Sequence, residues 1–166
     1  LSQRCGFEVP GKHRACHADL LLKHPDGRAI VANGGWHDAA DLAQGMNNTA
    51  DGTIGLLRLS ERLKGGQGAR GMLYERVLEE AKWGLDYVLK VRFGDGYRSS
   101  YSSTSIWTDG IIGTEDDVTS KPTKSPFTNF VSAYAEALGA YALRDIDPVL
   151  SRYALRIARE DFGFAE

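Results

Sequence analysis

Three observations predict an all-α fold. From about Asn48 onward, apolar residues recur at spacings of three and four. The helical stretches follow one another with no clear strands between them, so antiparallel helical hairpins are the natural packing. The 166 residues match the length of one domain, and 42% hydrophobic with 25% charged residues is ordinary globular usage with enough apolar chain for one core.

Residues 1 to about 46 are rich in His, Cys, Asp and Gly and carry no sustained helical period. Within them, His24-Pro25-Asp26-Gly27 is a turn signal between Leu20-Leu21-Leu22 and Ala29-Ile30-Val31. A short β-hairpin is expected there, with His24 solvated in its turn. A first helix follows, with Ile54, Leu57 and Leu63 on one side and an end at Gly65-Gly66. The second runs from about Met72 to Arg92 on a stripe of Leu73, Val77, Ala81, Leu85, Val88 and Leu89. Residues 93 to about 125 lose the period and interleave Gly, Ser and Thr with Phe93, Tyr97, Tyr101 and Trp107. A loop of that length either serves function or plugs the core with its aromatics. A third helix is expected from about Pro126 to Leu143, carrying Phe127, Phe130, Val131, Tyr134, Leu138 and Tyr141. A fourth starts at Asp147-Pro148, an N-cap followed by proline at the first helical position, and runs towards Phe162.

Charge excludes some partners. Twenty Lys and Arg against 22 Asp and Glu give a net charge of −2, so there is no bulk electrostatic case for nucleic acid or an anionic membrane. Purely apolar runs such as Leu20 to Leu22 are too short to span a bilayer. The sequence starts at Leu1 and shows no signal peptide, as expected of a processed chain or a fragment.

Two constellations carry chemistry. In Gly34-Gly35-Trp36-His37-Asp38-Ala39-Ala40-Asp41, two aspartates stand three residues apart, a spacing that puts both carboxylates on one side of a helical turn. Such a pair can grip a water and take its proton, or bind calcium. Alternatively, one caps a helix and the other is solvated. The second constellation is Cys5, Cys16, His17 and His37, two thiolates and two imidazoles of the kind that close a tetrahedral zinc site. A Cys5–Cys16 disulfide and two free thiols are the competing readings.

The stretches Arg4-Cys5-Gly6, Cys16-His17-Ala18-Asp19 and Gly34 to Asp41 resemble the start of a glycoside hydrolase family 9 catalytic domain, whose signature is Gly-Gly-Trp-(Tyr or His)-Asp-Ala-Gly-Asp. Leu78 to Lys90 resembles the family's early helix and Phe130 to Leu143 its next alanine-rich one, so the resemblance covers nearly the whole chain. It implies an (α/α)6 barrel of twelve helices. At about 12 residues each these need roughly 144 residues before any connection, so a chain with about four helices is expected to be the N-terminal part of a longer catalytic domain.

The resemblance implies an inverting hydrolase of β-glucan or β-glucosides. Asp41 matches the general base and Asp38 the helper that holds the attacking water. The general acid, a late glutamate, matches no residue here, so the chain alone is expected to be inactive. Ala40 replaces the family's usual glycine. If that position needs positive φ, alanine costs on the order of 1 kcal/mol and can displace Asp41, which leaves a non-catalytic carbohydrate-binding relative as an alternative. A zinc-stabilised structural module is another. One branch of the family binds structural zinc at the places of Cys5, Cys16, His17 and His37. Trp36, Trp107 and Tyr101 are the candidates for packing on sugar faces. The implied partners are an oligo- or polysaccharide and the remainder of the catalytic domain, and the function class favours a secreted or periplasmic location.

Overall fold

The computed structural model describes residues 18–37, 43–102 and 108–166. The N-terminal hairpin forms as expected. Strands β1 (Leu20–Lys23) and β2 (Ala29–Val31) pair antiparallel, with Leu22 opposite Ile30. Leu20 and Leu22 face the core on β1, as the alternation of an antiparallel strand requires. His24 departs from its expected solvation and is buried. Its ring lies 4.9 Å from Phe93 and 4.7 Å from Tyr97, and its nitrogens face Asp26 and Asp95 at 2.8 and 3.2 Å. The long second loop therefore folds back over the hairpin turn, which a local turn signal could not reveal.

Three short strands join these: β3 (Gln44–Gly45), β4 (Tyr101–Ser102) and β5 (Val118–Ser120). β5 adds parallel to β1, with Leu20 opposite Val118, and β3 pairs antiparallel with β4. Strands of two or three residues carry no readable period, so the sequence shows them only as loop. Through them the 93–125 segment is stitched to the N-terminal segment at two places.

Helix α1 (Met46–Leu63) ends at the predicted Gly-Gly, with Gly65 at φ +75°. Helix α2 (Ala69–Lys90) begins three residues before the expected Met72 and ends two before Arg92. Helix α3 (Pro126–Leu143) is capped by the Ser125 hydroxyl, which accepts from the Thr128 amide at 3.3 Å. Helix α4 (Pro148–Ala165) is capped by Asp147, whose carboxylate accepts from the Leu150 amide at 3.0 Å. Both proline-headed starts fall where the sequence puts them. Among the described residues no helix is long and apolar enough to cross a membrane.

The helices pack as two hairpins, α1 on α2 and α3 on α4, with α3 also against α1. One core cluster joins Leu20, Leu22, Met46, Tyr87 and Val88, and another joins Leu78, Leu85, Leu143 and Ile157. Helix α3 buries the face opposite its aromatics: Ser132, Ala135, Glu136, Gly139 and Ala142 point inward, while Phe127, Phe130 and Tyr141 are more than half exposed. Small residues let the helices approach closely. A Cβ on Gly139 would meet Leu85 of α2.

A buried charge node ties the loop to the second hairpin. The Arg98 guanidinium, fully buried, pairs with Glu136 of α3 at 3.2 Å and with Asp161 of α4. Arg92 adds bonds to Asp161 at 2.9 Å and Glu160 at 3.0 Å. The Arg98 backbone exchanges hydrogen bonds with Thr123, so the node also closes the loop on itself. Burial pushes the Glu136 carboxyl from its ordinary 4.5 up to about 8, with Arg98 opposing and Asp161 adding to the rise. Between these values the folded state holds a proton that the unfolded chain has released. This contribution to stability is complete below about pH 4.5 and is lost as pH rises towards 8. Urea midpoints should therefore fall between pH 5 and 8, and Glu136→Gln should flatten that slope. Equal slopes in the two proteins would contradict the assignment.

Candidate active site

The segment that leads into the aspartate motif is seated before it reaches Asp38. After β2, Ala32 donates to the Leu20 carbonyl at 2.8 Å and the chain crosses α2. Gly34 and Gly35 take φ of +102° and +69°. Glycine is required at position 35 on two counts, conformation and space. A Cβ there would stand 3.0 Å from the Tyr87 ring and 3.1 Å from the Thr49 hydroxyl.

Trp36 then drops its indole between α1 and α2. A Cβ on Gly52 of α1 would lie 3.2 Å from the ring, and one on Gly84 of α2 would collide with it. The two glycines form the notch in which the ring sits. The Trp36 indole N–H donates to the Glu80 carboxylate at 2.9 Å, and its backbone amide to the Thr49 hydroxyl at 3.4 Å. Trp83 donates its indole N–H to the Gly35 carbonyl at 3.0 Å, and the Gln44 side-chain amide donates to the Gly34 carbonyl. Gln44 is buried and begins the chain's return from the motif, so its side chain ties the exit of the loop to the entrance. Glu80, Trp83, Gly84 and Tyr87 occupy one face of α2, at the i, i+3, i+4 and i+7 positions.

Of the residues singled out in the sequence, Trp36 and His37 are half-buried and Tyr101 is half exposed. Tyr101 lies on β4 directly opposite Gly45, so the structure brings it beside the strand that leaves the aspartate motif. Asp38, Asp41 and Ala40 lie outside the described residues, as do Cys5, Cys16, His17 and Trp107. The clamp residues Gln44, Glu80, Trp83 and Gly84 were missed by the sequence reading. The signal that could have found two of them is Trp83-Gly84, an aromatic and a glycine inside an otherwise regular helix.

A second polar cluster lies where the start of β1 meets the loop between α2 and α3. One carboxylate oxygen from each of Asp19, Asp109 and Asp116 falls within 4.8 Å of the others. Asp19 is buried and accepts from the Thr108 hydroxyl at 2.7 Å and the Gly110 amide at 3.3 Å. Hydrogen bonds from the Thr114 hydroxyl and the Asp109 amide hold Asp116 below the usual carboxylate range. All-oxygen donors of this kind suit a hard cation such as calcium and not zinc. Asp19 and Thr108 are 89 residues apart, so no local motif could announce the cluster.

Paired helical hairpins with a glycine-glycine-tryptophan loop laid across one of them have the architecture of a segment of an α/α barrel. The sequence pattern described as glycosyl hydrolase family 9 matches residues 2–166, and the chain belongs to that family. Solved structures share the fold. A single mutant of the thermostable endoglucanase from Alicyclobacillus acidocaldarius superposes with a TM-score of 0.68 at 22% identity over 92% of this chain and 31% of that one. AaCel9A in complex with cellobiose-like isofagomine gives the same values. A Zn-binding triple mutant of the family 9 endoglucanase J30 gives 0.62 at 23% identity over 90% of this chain and 32% of that one. The chain thus spans about a third of the length of these solved structures. No curated protein matches it.

The glycine seat yields a direct test. Gly35→Ala should cost about 1–2 kcal/mol for the left-handed backbone and more for the contact with Tyr87. Gly27→Ala, at φ +96° with no atom within 4 Å of its Cβ, should cost only the backbone part. Denaturant unfolding of both variants reads the difference, and equal losses would mean that Tyr87 does not enforce the seat.

Proposed function

We propose that this chain supplies the general-base side of an inverting glycoside hydrolase acting on β-glucan or β-glucosides, as the N-terminal part of a longer catalytic domain. The observation that carries the reading is the clamped Gly34-Gly35-Trp36 neck, which hands the chain directly to Asp38 and Asp41. Asp41 takes a proton from water as base, and Asp38 holds that water. A carboxylic acid from outside residues 1–166 protonates the leaving oxygen on the opposite face of the sugar, at the roughly 6.5–9.5 Å separation that inversion needs. Residues 1–166 alone are then inactive. A cellobiose-like ligand in one solved relative supports a β-glucan substrate.

Tyr101 and Trp107 are the proposed sugar-facing aromatics, on a loop that borders the cleft. Trp36, expected from the sequence to face sugar as well, has its indole packed between α1 and α2 and is proposed to support the loop instead. The remainder of the catalytic domain is the proposed partner of the apolar outer face of α3 and α4, where Phe130, Tyr134, Leu155 and Phe162 line a groove of about 450 Å³. Solved relatives about three times as long as this chain support that assignment.

For metal, we propose structural zinc on Cys5, Cys16, His17 and His37. Two thiolates and two imidazoles are a complete tetrahedral donor set. His37 adjoins Asp38, so such a site would pin the loop from its outer side. A zinc-binding triple mutant of one solved relative supports the reading. The Asp19, Asp109 and Asp116 carboxylates are the proposed place for calcium.

Two measurements test this. In the full-length polypeptide, Asp41→Asn should lower turnover of a soluble β-glucan by several orders of magnitude with the far-ultraviolet circular dichroism unchanged. A loss below tenfold would refute the base assignment and favour a non-catalytic carbohydrate binder. Metal analysis of protein purified without chelator should find about one zinc per chain, and Cys16→Ser should remove it. A sulfur–sulfur bond between Cys5 and Cys16 would exclude the zinc site.

A further inference from the structure

We infer that one face of α2 is a positioning platform for the catalytic aspartates, with Glu80 and Trp83 as its acting residues. The inference rests on Asp41 being the general base. Glu80, Trp83, Gly84 and Tyr87 share this face, and each engages the loop in a different way. Trp83 donates to the carbonyl of Gly35, three residues before Asp38. Glu80 accepts from the indole of Trp36, two residues before Asp38. Gly84 provides the space for that indole, and the Tyr87 ring is the floor under Gly35. Gln44 completes the clamp by donating to Gly34 from the returning strand.

The chemistry of these bonds points beyond packing. Trp83 and Glu80 are only half-buried, and a core contact there would be served by apolar side chains. Instead an indole N–H and a carboxylate are directed at the loop's main chain and at its tryptophan side chain. Each such bond fixes orientation as well as distance. A base carboxylate must stand within hydrogen-bond reach of the water it deprotonates, and a misplacement of about 1 Å can cost roughly 100-fold in rate. Rotation of the Trp36 indole in its notch would be transmitted through a single intervening residue to Asp38. Neither Glu80 nor Trp83 touches the reacting atoms in this account; both act through the loop.

The test uses the full-length polypeptide with cellotetraose as substrate. Trp83→Phe keeps the ring and deletes the donor, while Glu80→Ala deletes the acceptor and Glu80→Gln restores one. Trp83→Phe and Glu80→Ala should each lower kcat by about 10- to 100-fold with KM within about threefold. Both should also move the acid limb of the kcat/KM pH profile, which reports the base in the free enzyme. Glu80→Gln should recover most of the kcat lost in Glu80→Ala. Unchanged kcat and acid limb in the folded variants overturn the inference, whatever happens to their melting temperatures. Should Trp83→Phe unfold, the Glu80 pair decides: no loss in the alanine variant, or no recovery in the glutamine variant, overturns it. Asp41→Asn separates the two levels. If that variant stays active, the catalytic reading fails and the platform with it. If it is inactive while Trp83→Phe and Glu80→Ala keep full kcat, only the platform fails.

Discussion

The Trp36 indole in the Gly52–Gly84 notch is the contact on which the rest of the structure depends. It joins three parts of the chain that share no local sequence signal: the segment after the hairpin, α1 and α2. Without a Cβ at either glycine, the helices leave room for a ring between them. With the ring in place, the Glu80 carboxylate has a donor, Thr49 has the loop amide, and Trp83 reaches the Gly35 carbonyl. The described stretch Gly34-Gly35-Trp36 is thus held by side chains from three directions, α1, α2 and β3. That is the requirement for placing carboxylates with the accuracy that general-base catalysis demands.

The Arg98 node does for the second hairpin what Trp36 does for the first. It sits on the long loop between α2 and α3 and draws carboxylates from α3 and α4 onto one guanidinium. A buried pair of this sort is a weak source of net stability but a strong constraint on arrangement, because removing one partner leaves an uncompensated charge. The same loop pairs β4 with β3 and β5 with β1. The described parts of this loop are therefore joined both to the hairpin and to the strand that precedes α1. The outer face of α3 and α4 is left apolar, as expected of a segment from a larger barrel.

Much of this was legible in the sequence, for identifiable reasons. The two proline-headed helix starts and the Gly-Gly stop are local signals, and they fell at the predicted residues. The hairpin was legible because its turn and its alternation are local too. The inward face of α3 was not. Phe127, Phe130, Tyr134 and Tyr141 are its large apolar residues, yet the inward contact is made by Ser132, Ala135 and Gly139, where small size decides. His24 was misjudged because Phe93 and Tyr97, which bury it, lie about 70 residues away. The motif at Gly34 to Asp41 marks the candidate site in the sequence, but the clamp beneath its first three residues is not readable there. Glu80 and Trp83 look like an ordinary charged position and an ordinary helix aromatic until Trp36 is placed against them.

In the proposed function, the clamped loop delivers a base-activated water to one face of a β-linked sugar while an acid acts on the other. Proton NMR of the first product formed by the full-length polypeptide from a β-linked gluco-oligosaccharide tests it most directly. The account predicts that the newly formed reducing end appears first as the α-anomer and only then mutarotates. Initial release of the β-anomer would contradict it, because that outcome requires a carboxylate nucleophile in place of the water.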